Sequence, residues 1–209
     1  MKRTKINIAV LVSGGGTNLQ ALINAQSTGI LKSGEIKLVI SNKADAYALQ
    51  RAAAAGIETA VVSKKELGAD GMEKAISELL SRRKIDLIVL AGFMCILSAG
   101  FTAKYDHRII NVHPSLIPSF CGEGYYGLRV HKAALEKGVK VTGATVHFVN
   151  EIPDGGEIIL QKAVTVPKNA TPESLQNRVM RLAEWKILPR ACEITAKNIL
   201  KEEKDNERV

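Results

Sequence analysis

Aromatic residues are scarce in this 209-residue chain, at 4% with a single Trp. Proteins that bind single-stranded nucleic acid by stacking need several rings along one groove, so that class is disfavoured. Basic residues exceed acidic ones by 29 to 21, a net charge of +8, yet only "MKRTK" and "SRRKID" gather them. A continuous stripe for a duplex backbone is missing, which argues against nucleic acid as the partner. The excess still favours anionic ligands, without choosing among phosphate metabolites and acidic cofactors. Cys95, Cys121 and Cys192 are far apart and include no CxxC pair. That spacing fits neither a disulfide scaffold nor a zinc site. No apolar run approaches the roughly eighteen residues of a membrane helix. The opening "MKRTKINIAVLVSGGGTN" has an apolar stretch too short for a signal peptide. It reads as a strand, in a protein of the reducing cytoplasm with no membrane partner.

What is present is a chain 46% hydrophobic with 17 glycines, enough for a full core in one structural unit. "INIAVLVS" (6–13), "IKLVISN" (36–42), "ETAVV" (58–62), "DLIVLAG" (86–92) and residues 109–113 read as strands. Between them lie helical stretches: one after "GGG" with Leu19, Leu22 and Ile23 at helical spacing, one at 45–56, one at about 70–83 and one around 95–107. The strands lack alternation, as strands covered on both faces by crossover helices do. Farther on, "GATVHFVN" (143–150) alternates, and "GEIILQKAVTV" (156–166) follows a turn "EIPDGG", which predicts an antiparallel pair. A closing helix over about 172–196 would carry Leu175, Val179, Leu182 and Trp185 on one side. The fold class is therefore α/β: an open, mostly parallel sheet with helices on both faces and an antiparallel excursion in the C-terminal half.

Two places carry chemistry. In "VSGGGTNLQ" a glycine turn opens a helix, so backbone amides of Gly14, Gly15 and Gly16 can approach an anion, with Ser13, Thr17 and Asn18 as added donors. The turn is neither GxGxxG nor a P-loop, since Leu19 and the missing Lys break both patterns. A small phosphate monoester suits it better than a dinucleotide, although a glycine turn can also be only a bend. In "RIINVHPSLIP" the strand ends on Asn111 and His113, two apart and so on one side. In an open α/β sheet such strand ends form the ligand rim. Asp154, in the turn "EIPDGG", supplies a carboxylate that could orient the imidazole, while an amide NH₂ could meet a developing oxyanion. The bland alternative is a polar pair at a sheet edge. Ser115 and Cys121 are rival nucleophiles outside any GxSxG elbow. His131 and His147 are available for a metal, His147 being better explained by packing or hydrogen bonding inside its strand.

The segments "VLVSGGGTNLQALI", "VISNKADAYALQRAAAAGI", "VLAGFMCILS", "IINVHPSLIPSF" and "TVHFVNEIPDGGEIILQ" resemble the phosphoribosylglycinamide formyltransferases of the folate-dependent formyltransferase family, from Ile6 to about Ile199. The wider family signal is Asn-x-His-Pro-Ser-Leu-(Leu/Ile)-Pro with a downstream Asp-Gly-Gly; the "SGGGTNLQ" turn narrows it. The resemblance implies a Rossmann-like fold and a transfer of formyl from 10-formyltetrahydrofolate, a co-substrate, to the amine of glycinamide ribonucleotide, without metal. It implies that Asn111, His113 and Asp154 are catalytic, and that Gly14, Gly15, Gly16, Thr17, Asn18 and Glu184 hold the ribonucleotide. Leu90, Phe93, Met94, Cys95, Ile96 and Leu97, with Asn111, would line the folate pocket. The match departs at Cys95, where members often have arginine after "GFM", near residue 70, where an arginine is missing, and at Thr142, where some have histidine. The loop "SFCGEGYYGLRVH" is longer than in the shortest members.

This reading expects one formyltransferase domain over 1–200, with a phosphate-binding half at about 1–105, a catalytic and folate-binding half at about 86–200, and a frayed tail at 201–209. The assembly would be a monomer or homodimer. The alternatives are a formyltetrahydrofolate hydrolase, which usually carries a further N-terminal domain, and a non-catalytic phosphometabolite-binding protein. A tRNA-directed formyltransferase would need a further C-terminal domain of about a hundred residues.

Overall fold

Strand β1 (Ile6–Val12) is buried almost throughout, with Ile6, Ile8, Val10 and Leu11 shielded from solvent. Each such side chain contributes about 1.5–3 kcal/mol on leaving water, which is why this apolar run sits at the centre of its sheet. The computed structural model describes residues 3–206. They form two units: the chain up to Leu97 together with the segment from Cys192, and Ser98–Ala191.

In the first unit β1 lies between β2 (Gly34–Ser41) and β4 (Leu87–Leu90), and β3 (Glu58–Val61) flanks β2; every pairing is parallel. The 36–42 strand thus runs as the non-alternating pattern requires. One irregularity interrupts the pairing: the register shifts between Ile8 and Ala9, so that the exposed Lys37 is passed over and the buried Leu38 pairs next. Helices α1 (Thr17–Ser27), α2 (Tyr47–Ala54) and α3 (Lys64–Arg82) connect these strands. The third starts earlier than its expected 70, in a short turn broken at Gly68, whose φ of 72 only glycine adopts freely.

In the second unit α4 (Ala99–Lys104) leads to β5 (Ile109–His113), and α5 (Leu128–Lys137) to β6 (Val141–Phe148) and β7 (Ile158–Thr165). β6 is antiparallel to both β5 and β7. The parallel strands of the first unit and the antiparallel strands here bear out the mostly parallel α/β class with its late excursion.

The closing helix differs from expectation. α6 (Pro172–Val179) opens with a capping box between Thr171 and Ser174, then a π-helical turn covers Met180–Glu184 before α7 (Trp185–Asn206). The wider turn advances the buried face by one residue. Leu175 and Val179 are buried as expected, but Leu182 is 41% exposed, and Ala183 and Glu184 take the inward places. The tail also differs: α7 is helical to Asn206, because Ile199 and Leu200 are buried and Glu203 pairs with Arg3. Residues 207–209 of the expected frayed segment lie outside the described residues.

Candidate active site

The strand β5 places Asn111 and His113 on one side, as a spacing of two demands. Antiparallel pairing sets Asn111 opposite His147 and His113 opposite Thr145. Asn111 Nδ2 then lies 3.2 Å from His147 Nε2. His147 Nδ1, 2.7 Å from the Phe148 carbonyl, can only donate there, so Nε2 accepts from the NH₂ of Asn111 when the ring is neutral and donates to the Asp154 carboxylate when the ring is protonated. His147 is therefore a hydrogen-bonding member of the cluster, a place in the site that alternation alone does not reveal.

Asp154 sits in the turn between β6 and β7 at φ 57, a left-handed conformation that Asp tolerates better than most residues. The glycines beside it are obligatory: a Cβ on Gly156 would fall 1.8 Å from the Phe148 carbonyl, and one on Gly155 2.6 Å from Ile152 Cγ2. The carboxylate is thus held in a shared position. Oδ2 is 3.2 Å from His113 Nδ1 and accepts the Gly122 amide at 2.9 Å, and Oδ1 is 3.5 Å from His147 Nε2. Burial alone would raise its pKa, but His147, the His113 charge and the Gly122 amide outweigh burial and hold it below the ordinary value.

His113 is 4% exposed. Its Nε2 is 2.9 Å from the Phe120 carbonyl. Both ring nitrogens therefore face acceptors, Asp154 and Phe120 O, an arrangement that only the doubly protonated ring satisfies completely. Burial opposes that form and prevails: the pKa of His113 lies below its ordinary value, although Asp154 and Phe120 O raise it. Asp154 does favour the cation, but desolvation is larger.

The rival nucleophiles have other tasks. Ser115 is buried, and its Oγ donates to Ser119 O at 2.5 Å, while its carbonyl accepts from Thr145 Oγ1 at 2.7 Å. Burial, with the Asp154 charge, pushes the Cys121 thiol up, which disfavours its thiolate. His131 is fully buried on α5 without a hydrogen-bond partner for either nitrogen, and burial pushes its pKa down to about 4. Among the described residues no group of three or more His, Cys, Asp or Glu side chains is placed to hold a metal ion.

The first unit carries the glycine turn. Gly14 and Gly15 are exposed, and a Cβ on either would meet nothing within 4 Å. Gly16, at φ 70, is the N-cap of α1. Ser13 is buried, and its Oγ accepts the Met94 amide at 2.8 Å, so it ties the turn to the irregular segment after β4. In that segment Leu90 and Leu97 are buried, Phe93 and Cys95 are half-buried, and Met94 and Ile96 are 52% and 72% exposed. Cys95 Sγ accepts from Asn42 Nδ2 at 3.1 Å. Thr17 is half-buried, Asn18 buried, and Glu184, in the π-helical turn of the second unit, 6% exposed.

In the first unit a glycine turn opens a helix; in the second a carboxylate lies between two imidazoles, one of which meets an asparagine amide, a set of side chains able to hold and move protons in an α/β protein. The sequence matches the formyl transferase family over residues 6–192. It is 45% identical over 183 residues to the phosphoribosylglycinamide formyltransferase of Haemophilus influenzae, covering 87% of this chain and 83% of that protein. It is 46% identical to the human trifunctional purine biosynthetic protein adenosine-3 over 93% of this chain, and spans only 19% of that protein's length. The fold matches the crystal structure of glycinamide ribonucleotide transformylase 1 from Symbiobacterium toebii with a TM-score of 0.86 and 39% identity, over 93% of this chain and 89% of that one. The chain belongs to the formyl transferase family.

Proposed function

We propose that the protein transfers the formyl group of 10-formyltetrahydrofolate to the primary amine of glycinamide ribonucleotide, a step of purine biosynthesis carried out in the cytoplasm. The observation that carries this reading is that His113 directly, and Asn111 through its cross-strand partner His147, are joined to the Asp154 carboxylate. A primary amine is nucleophilic when neutral, so no serine or cysteine needs to be acylated.

The amine attacks the formyl carbon, and negative charge develops on the formyl oxygen. Asn111 Nδ2 is the neutral donor for that charge. His113, neutral at the start because burial lowers its pKa, takes a proton from the nitrogen that has attacked. The imidazolium so formed is stabilised by Asp154 at Nδ1. The Phe120 carbonyl stands where Nε2 would meet a reacting atom, and must give way to it. His113 then returns its proton to the folate nitrogen as the bond from that nitrogen to the formyl carbon breaks. The products are the formamide and tetrahydrofolate, with no net change at the enzyme. The glycine turn holds the ribonucleotide phosphate, Glu184 contacts the ribonucleotide, and the uncovered apolar side chains of 90–97 line the folate site.

Turnover of 10-formyltetrahydrofolate measured with and without glycinamide ribonucleotide tests the assignment. Dependence on the ribonucleotide is expected. Equal turnover without it would make the protein a hydrolase, and no turnover in either case would leave a binding protein.

A further inference from the structure

The sequence places Tyr47, Ala48 and Arg51 at helical spacing, so all three fall on one face of α2. That face is pressed against the glycine turn. The Ala48 amide donates to Gly14 O at 3.0 Å, and Arg51 Nε donates to Gly15 O at 2.8 Å. The approach is close: a Cβ on Gly16 would lie 2.6 Å from Ala48 Cβ.

These two bonds have a consequence for the amides. A trans peptide is planar, with C=O and the following N–H pointing in opposite directions. Drawing Gly14 O and Gly15 O toward α2 turns the amides of Gly15 and Gly16 away from it. Two successive amides facing one side make a concavity for an anion. The peptide between Gly15 and Gly16 is flanked by glycines on both sides, so little besides the Arg51 bond opposes its flipping.

We propose that Arg51 is a positioning residue for phosphate: it locks the Gly15–Gly16 peptide so that the Gly16 amide points at the ligand. This rests on the reading of the turn as a phosphate site. Arginine suits the task because it is held at three points. Nη1 donates to Gln20 Oε1 at 3.1 Å while Nε serves Gly15, and the guanidinium lies 4.9 Å from the centre of the Tyr47 ring. Lysine keeps the charge but cannot serve both carbonyl oxygens with a rigid fork.

Titration of inorganic phosphate into ¹⁵N-labelled protein, followed at the Gly15 and Gly16 amides, tests the proposal alongside steady-state kinetics. In the wild type both amides are expected to shift. In Arg51→Lys the phosphate Kd and the KM for the ribonucleotide should rise about tenfold or more, with kcat at saturation retained. Gln20→Ala, which leaves the charge and frees the guanidinium, should weaken phosphate in the same direction. If the wild-type amides do not respond to phosphate, the turn is only a bend and the proposal goes with that reading. If the wild type responds while Arg51→Lys and Gln20→Ala bind phosphate equally well, the phosphate site stands and the role of Arg51 is overturned. A fall in kcat with an unchanged KM would overturn it too.

Discussion

Asn111 and His147 are paired residues of antiparallel β5 and β6, and their side chains meet with Nδ2 3.2 Å from Nε2. While the His147 ring is neutral, the contact fixes which end of the Asn111 amide faces it, because Nδ1 is committed to the Phe148 carbonyl and Nε2 is left as an acceptor. Loss of an oxyanion donor typically costs about 10²–10³ in turnover. Asn111→Ala is therefore expected to lower kcat by about that factor while the KM for the ribonucleotide holds. His147→Ala should lower kcat in the same direction by less, through a freed Asn111. Near wild-type kcat for Asn111→Ala with both substrates saturating would return Asn111 to a polar edge residue.

The His113 ring is expected to titrate below the ordinary imidazole value of 6.5, since burial outweighs its neighbours. Asp154 raises that pKa, so Asp154→Asn should move the midpoint lower still, not higher. The variant should also lose most of its kcat, because the imidazolium formed in the reaction then has no carboxylate beside it. NMR titration of the His113 ring in both proteins measures this. A wild-type midpoint above 6.5, or an upward move in the variant, would mean that the Asp154 charge and not desolvation governs the ring.

The type of the strands was legible because an apolar run without alternation has few other places to go than a covered parallel sheet. The pairing of Asn111 with His147 was not. The connection between β5 and β6 contains α5 and is no tight turn, so no turn geometry sets the register in advance. The phase of the closing helix was likewise hidden, since one extra residue in a π-helical turn moves Leu182 out and Glu184 in without altering composition. The burial of Glu184 was not legible, since a 3.6-residue count puts other side chains inward. Asp154 was visible through the two glycines after it, whose need is now physical: any Cβ there collides with Ile152 or Phe148.

Glu193 ties the last helix to the loop before β2. Its carboxylate accepts the amides of Lys32 at 2.8 Å and Ser33 at 2.9 Å and the Ser33 hydroxyl at 3.0 Å, and Lys197 lies at 3.2 Å. Burial would raise its pKa, but these donors outweigh burial and hold it below 4.5. A carboxylate with a depressed pKa adds stability that is present above the ordinary value and lost as pH falls through the lowered one. Glu193→Ala should cost about 2 kcal/mol at neutral pH by urea denaturation, the scale of hydrogen bonds to a charged group. The stability gap between wild type and Glu193→Gln should narrow as pH falls below 4.5. A gap that stays constant to pH 3 would show that the contacts are made equally well by a neutral group.

Gly15 and Gly16 are neighbours with opposite reasons for being glycine, and alanine separates them. A Cβ on Gly15 meets no protein atom within 4 Å, and its φ lies outside the left-handed region. Gly15→Ala should leave stability unchanged or raise it by about 0.4–1 kcal/mol, by restricting the unfolded chain. If the open side is a phosphate cradle, that methyl group enters it, and the KM for the ribonucleotide should rise even though the fold has gained. Gly16 has φ 70, and its Cβ would stand 2.6 Å from Ala48 Cβ and 2.8 Å from Ala48 Cα. Gly16→Ala should therefore destabilise by about 1–3 kcal/mol from backbone strain alone, with the Ala48 clash adding to it. Melting temperature and ribonucleotide KM, measured on both variants, distinguish the two roles. If Gly15→Ala kept the wild-type KM, the space above Gly15 would hold no ligand, and the exposed glycine would be serving the bend and nothing more.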